Sequence, residues 1–165
     1  MISSSRMPGH LIRRVHQIST QIFLLRVREA GYDLTPVQFA ALDALGHAPG
    51  IDQARLAEAI AKDRATIGAV VDRLEQKGLV ARVANSKDRR ARILKLTASG
   101  ERILMVLMPI VESVQKEMLS GLSGAESKQL VQLVNKVIAK ADVDLAGLDD
   151  ADVEKRVRVV SAAKK

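Results

Sequence analysis

The sequence predicts a mainly α-helical chain with a small β-hairpin wing: a winged helix-turn-helix flanked by long N- and C-terminal helices. Three observations predict it. Residues 52–100 read in order as two short amphipathic helices, a strand, a basic turn, a second strand and the start of another helix. Charge gathers in the same stretch: Lys62 to Lys95 holds ten Lys/Arg against four Asp/Glu, a net of +6 out of +7 for the whole chain. The basicity is therefore a patch and not a background. Finally, 47% of residues are hydrophobic but only 2% are aromatic. A core built from Leu, Ile, Val, Ala and Met favours helix-on-helix packing over a large sheet.

Each element has a local cause. Residues 1–9 are polar, end in Pro8-Gly9 and read as a flexible arm. Leu11, Val15, Ile18, Ile22 and Leu25 then recur at spacings of four and three, a helical stripe of coiled-coil type. Ile12, Phe23, Leu24 and Val27 widen it, so this helix is apolar on more than one side. Either all of that surface is core, or part of it meets a partner chain. Thr35-Pro36 opens the next helix as N-cap and first helical residue, and the helix runs through Phe39, Leu42 and Leu45 to Gly46. Asp52 caps a short helix carrying Leu56, Ala57 and Ile60. Asp63 caps the following one, whose buried face is Ile67, Val70, Val71 and Leu74, and Gly78 ends it in a left-handed conformation. Strands follow over 79–84 and 92–96, with Leu94 and Leu96 on one face. Thr97 caps a long helix to about Ser120, with Pro109 as a kink. Ser123 and Glu126 form a capping box for a last helix to about Ala141, striped by Leu130, Leu133, Val134 and Val137. The acidic-then-basic stretch 142–165 is a short appended helix or a disordered tail.

Several function classes are disfavoured. Without cysteine there is no disulfide framework, thiolate metal site or thiol redox switch. The opening MISSSRMPGH has no apolar segment of signal-peptide type, and the longest apolar run, 103–111, is interrupted by Pro109. A cytoplasmic location is the expectation. No Ser/His/Asp set, phosphate-cradling glycine loop or carboxylate pair stands out, so an enzyme is not expected. His10, His16 and His47 form no metal-binding spacing, and neither metal nor cofactor is expected. The excess positive charge suits a polyanion. Scarce aromatics argue against single strands, which bind by base stacking. On charge alone, a membrane surface or an acidic protein would fit as well.

Asp88, Arg90, Leu94, Leu96, Thr97 and Gly100 make the pattern D-x-R-x-x-x-L-x-L-T-x-x-G, preceded by D-R-A-T-I at 63–67 and D-R-L-E-x-K-G-L-V at 72–80. From the first helix to about residue 141 this resembles the MarR family of bacterial transcription regulators. The resemblance implies a homodimer paired through helices within 10–34 and 98–141, with a DNA-binding region over 35–97. It implies that the helix opened by Arg64 lies in the major groove of a pseudo-palindromic operator. Arg64, Thr66, Gly68, Ala69 and Arg73 lie on or near the face opposite the apolar stripe and suit that groove, which admits one helix. Gly68 costs roughly 1 kcal/mol against Ala in a helix interior, for close approach to DNA or for helix–helix packing. Ser86, Lys87, Arg89 and Arg90 form a basic wing tip whose arginine would enter a narrow minor groove, and Asp88 would fix the wing's shape. A solvated hairpin tip is the alternative.

Family members are commonly repressors released by a small aromatic acid or phenol bound between the dimer helices and the DNA-reading helices. By that resemblance the effector residues are Arg13, Arg14, His16, Ser19, Thr20, Gln38 and Phe39. His16 and Ser19 share a helix face and so can converge on one ligand. Alternatively, His16 makes only a helix contact, and the hydroxyls bond their own backbone. The N-terminal stretch is similar to repressors of hydroxyaromatic and nicotinate catabolism, which implies 6-hydroxynicotinate as inducer. Two other functions use the same sequence: a nonspecific architectural DNA-binding protein, and a protein-interaction module with an inert winged helix.

Overall fold

The computed structural model describes residues 4–60, 64–85 and 92–146. A 3-10 turn over Ser4–Arg6 leads into α1 (Pro8–Glu29), followed by α2 (Pro36–His47), α3 (Gln53–Ala59) and α4 (Arg64–Gln76). Strands β1 (Val80–Ala84) and β2 (Arg92–Leu96) come next, then α5 (Ala98–Met118) and α6 (Gly124–Ala146). The chain divides into two compact units, residues 1–118 and 119–165, with α6 in the second.

Local chemistry sets most boundaries. Thr35 and Gln38 form a reciprocal capping box at the start of α2, with Pro36 in the first turn. Asp52 accepts from the Arg55 N–H at 2.8 Å and starts α3. At the start of α6, Glu126 accepts from the Ser123 N–H at 2.8 Å while the Glu126 N–H reaches the Ser123 hydroxyl. The expected cap Asp63 lies outside the described residues.

Two boundaries differ from the sequence reading. Pro8 and Gly9, expected in the N-terminal arm, belong to α1, with Pro8 as its first residue, where the missing N–H costs nothing. Helix α6 runs beyond Ala141 to Ala146, and the rest of the expected tail lies outside the described residues. Pro109 sits inside a continuous α5, on its exposed side.

The core of the first unit is aliphatic. Leu42, Leu45, Leu56, Ile67, Leu74, Leu94 and Leu107 are fully buried, with Val27, Val71, Val80 and Val114. Each large side chain contributes roughly 2 kcal/mol of burial. Phe23 and Phe39 add the one ring contact found among the described residues, with centroids 6.0 Å apart and planes at 57°. Helix α2 packs so closely on α5 that a Cβ at Gly46 would lie 2.8 Å from a Leu104 methyl. Arg26 on α1 makes a bidentate pair with Glu117 on α5, both bonds at 2.9 Å. These interactions fix the platform that carries α3, α4 and the hairpin.

Candidate nucleic-acid interface

Helix α4 has one buried and one open side. Ile67, Val70, Val71 and Leu74 are buried as the sequence predicted. Thr66, Ala69 and Arg73 are exposed together on the other side. Arg64 opens the helix. Gly68 departs from the expected face. It is half-buried, and a Cβ there would lie 3.3 Å from the Gln53 amide nitrogen of α3. Its neighbour in the structure is therefore α3, which corrects its placement on the open face.

The end of α4 is built to hand the chain directly to the hairpin. Gly78 adopts φ +69°. Its N–H donates to the Glu75 carbonyl, and the Leu79 N–H donates to the Leu74 carbonyl, both at 2.9 Å. This is the double closure of a left-handed helix terminus. Thr97 then ties the far end of the hairpin to the same place. Its hydroxyl donates to the Gly78 carbonyl at 2.6 Å, and its N–H donates to the Leu79 carbonyl at 3.0 Å. The Gly100 N–H donates back to the Thr97 hydroxyl at 3.1 Å, starting α5.

Strands β1 and β2 pair antiparallel with Val80 opposite Leu96 and Ala84 opposite Arg92. The segment before α3 adds a short third rung. The Gly50 N–H donates to the Leu94 carbonyl at 3.0 Å, and the Leu94 N–H to the Ile51 carbonyl at 2.8 Å. Thus the hairpin is anchored to both helices of the helix-turn-helix. Ser86, Lys87, Asp88, Arg89 and Arg90, the expected wing tip and its structural aspartate, lie outside the described residues.

Two members of the basic patch are already paired. Arg82 on β1 reaches Asp72 and Glu75 on α4, each at 2.5 Å. Burial opposes its charge, but the hydrogen bonds and charges of Asp72 and Glu75 prevail and raise its pKa. Lys77 donates to the Asp33 carbonyl and sits 3.2 Å from the Asp33 carboxylate, tying the end of α4 to the α1–α2 link. Arg73 on α4, with Arg92 and Lys95 on β2, remains exposed. Sequence reasoning counted Lys77 and Arg82 in the patch without separating them from cations facing solvent. The acidic residues at Asp72 and Glu75, at helical spacing from each other, were the available signal.

The expected effector residues fall into two groups. His16 is exposed on α1, and Ser19 and Thr20 are half-buried on the same face, which continues to buried Phe23 and its partner Phe39. Arg14, His16 and Thr20 line one shallow depression with Gln17, Ile18 and Gln21. Arg13 donates to the His10 ring at 3.3 Å. Gln38, however, is only 4% exposed, and its side-chain oxygen accepts from the Thr35 N–H at 3.1 Å. Phe39 is 9% exposed and belongs to the core. The structure gives Gln38 a capping role and Phe39 a packing role, and neither faces solvent.

Helix α1 separates its apolar residues onto two faces. Phe23 and Val27 are buried within the unit. Leu11, Val15, Ile18 and Leu25 of the coiled-coil stripe remain 43–53% exposed. Helix α6 likewise exposes Leu130, Val131, Leu133, Val134, Val137 and Ile138. Among the described residues, no cluster of His, Asp and Glu is arranged to hold a metal ion, and no helix is long and apolar enough to cross a membrane.

Comparison with known proteins decides the family. Residues 32–91 match the MarR family profile. The Escherichia coli O111:H- transcriptional regulator HosA is 42% identical over 106 residues, 64% of this chain and 78% of HosA. The chain belongs to the MarR family. The Pseudomonas putida KT2440 HTH-type transcriptional repressor NicR is 35% identical over 131 residues, 79% of this chain and 81% of NicR. A solved structure of Bordetella bronchiseptica BpsR, whose DNA binding is regulated by 6-hydroxynicotinic acid, superposes with a TM-score of 0.77 at 28% identity. That match covers 90% of this chain and 99% of BpsR. The MarR family and these neighbours are transcriptional regulators and not enzymes. DNA binding and the winged-helix fold go with that membership.

Proposed function

We propose that this MarR-family protein is a homodimeric repressor that reads a pseudo-palindromic operator and releases it on binding a small aromatic acid. The observation that carries the DNA-reading half is the open face of α4, with Thr66, Ala69 and Arg73 exposed beside a hairpin anchored to the same helix. Arg64 opens that helix, and Arg89 and Arg90, the wing-tip residues expected from the sequence, supply the groove contacts. The uncovered stripe of Leu11, Val15, Ile18 and Leu25 supports pairing of two chains. A two-fold pair would set its recognition helices roughly 34–36 Å apart, one turn of DNA.

The effector half rests on His16, Ser19 and Thr20, which share one face of α1 leading down to Phe23 and Phe39. A planar acid suits that combination, with the hydroxyls and the imidazole meeting its polar edge. Arg13 and Arg14 are the nearby cations for its carboxylate. The likeness to BpsR makes 6-hydroxynicotinate the first effector to try.

The test is selection of bound fragments from genomic DNA, then competition of the selected duplex against bulk DNA. A specific regulator favours its operator by about 10³-fold or more. A nonspecific architectural protein shows no such preference, and an inert winged helix binds neither duplex at low salt. Titrating 6-hydroxynicotinate into the operator complex then tests the effector. No release at millimolar ligand removes that compound.

A further inference from the structure

Arg82 is set apart from the other cations of the patch. It occupies the middle of β1 opposite Leu94, and its side chain is only 26% exposed. One guanidinium nitrogen meets the Asp72 carboxylate and another meets Glu75. Glu75 also accepts from the Arg82 backbone N–H at 3.3 Å, so one carboxylate holds both the strand and its side chain. Asp72 and Glu75 lie three residues apart on α4, so the fork grips one side of the helix. This places two negative charges on the helix that faces DNA, where Coulomb attraction alone would favour none. Their arrangement is understandable if geometry outweighs charge there. A recognition helix and a wing reach different grooves, so their mutual angle must be held while the flanking contacts form.

We propose that Arg82 is a positioning residue for operator recognition: by bridging Asp72 and Glu75 it fixes the angle between α4 and the β1–β2 hairpin, without touching DNA. This inference rests on the DNA-reading role proposed above. It makes an unusual prediction of sign. Removing the two carboxylates adds positive charge near the duplex yet weakens specific binding.

The experiment measures affinity for the selected operator and for bulk DNA across a salt series. It uses full-length wild type, Arg82→Gln, Arg82→Lys and the Asp72→Asn/Glu75→Gln double variant. Arg82→Gln is expected to weaken operator binding by about ten-fold, the size of losing one or two charge-assisted hydrogen bonds. Its salt slope and its affinity for bulk DNA should stay at wild-type values. The double variant should lose a similar factor despite its added charge, and Arg82→Lys should recover part of the loss. The proposal is overturned if Arg82→Gln lowers the salt slope by about 0.9 per subunit, the mark of a phosphate no longer neutralised. It is equally overturned if the double variant binds more tightly, or if no variant changes operator affinity. Circular dichroism checks folding. Should the double variant unfold, Glu75→Gln alone carries the same test of sign, since Asp72 still holds the Arg82 guanidinium. A wild-type protein with no operator preference overturns the DNA-reading role itself, and that result is visible before any variant is made.

Discussion

The carbonyl oxygen of Leu79 occupies the space beside Gly100 so closely that a Cβ at residue 100 would sit 2.1 Å from it. The same carbonyl accepts the Thr97 N–H, so it cannot move aside without opening the base of the wing. Gly100→Ala should therefore destabilise the protein by about 3 kcal/mol, as overpacking against a fixed group does. Thermal unfolding checks this. A variant with wild-type stability would show that the hairpin base yields more easily than these hydrogen bonds imply.

Gly68 leads to the opposite expectation. A Cβ there would meet only the end of the Gln53 side chain, at 3.3 Å, and that amide can swing away. Alanine also gains roughly 1 kcal/mol of helix propensity over glycine. Gly68→Ala should be neutral or slightly stabilising, with operator affinity within about two-fold of wild type, as for other changes worth under 0.5 kcal/mol. A large loss of affinity in a well-folded variant would restore the close-approach reading of this glycine.

The exposed stripe of α1 predicts the behaviour of charged substitutions. Val15→Asp and Ile18→Asp fall on surface that the first unit leaves uncovered, at 48% and 43% exposure. They should leave each chain folded but shift it toward monomer in sedimentation. Operator affinity should fall by about 100-fold or more, because two linked half-site contacts become one. A variant that remains dimeric with full affinity would move the pairing surface elsewhere.

Two carboxylates set an acid response. The backbone N–H and hydroxyl of Ser123 hold the Glu126 carboxyl below the usual carboxylate range. Arg26 does the same for Glu117, against the opposing effect of desolvation. Because both folded values are depressed, their stabilisation is present above the unfolded pKa of about 4.3 and is lost as pH falls through the folded values. Helical circular dichroism should therefore hold steady down to about pH 5 and decline below it. Glu126→Gln should flatten part of that decline while lowering stability near neutrality. An unaltered acid profile in this variant would show that the cap does not contribute.

The sequence revealed what depends on near neighbours. Thr35, Asp52, Gly78, Thr97 and Ser123 were recognisable as helix ends because each acts within four residues of its own position. The strand over Arg92–Leu96 and the buried face of α4 followed from period alone. What escaped were residues whose role is set by distant parts of the chain. Gln38 resembled an available polar group until its oxygen was found on the Thr35 N–H within a buried turn. Phe39 resembled ligand surface until Phe23 covered it. Nothing in the helix around Gly68 announces its neighbour Gln53 on α3. Arg82 was one cation among ten in the patch, and only the hairpin's return onto α4 shows that it is already paired. The two apolar faces of α1 were visible as an excess of hydrophobic positions, but which face the unit covers depended on α5.

The central claim is that the open side of α4 and the basic residues between the two strands grip a duplex. It is tested most directly by neutralising Arg64, Arg73, Arg89 and Arg90 together and measuring duplex affinity across a salt series. Affinity should collapse, and the salt slope should fall by about 1 per subunit for each arginine that no longer meets a phosphate. A quadruple variant that binds the operator with wild-type affinity and slope would contradict the claim.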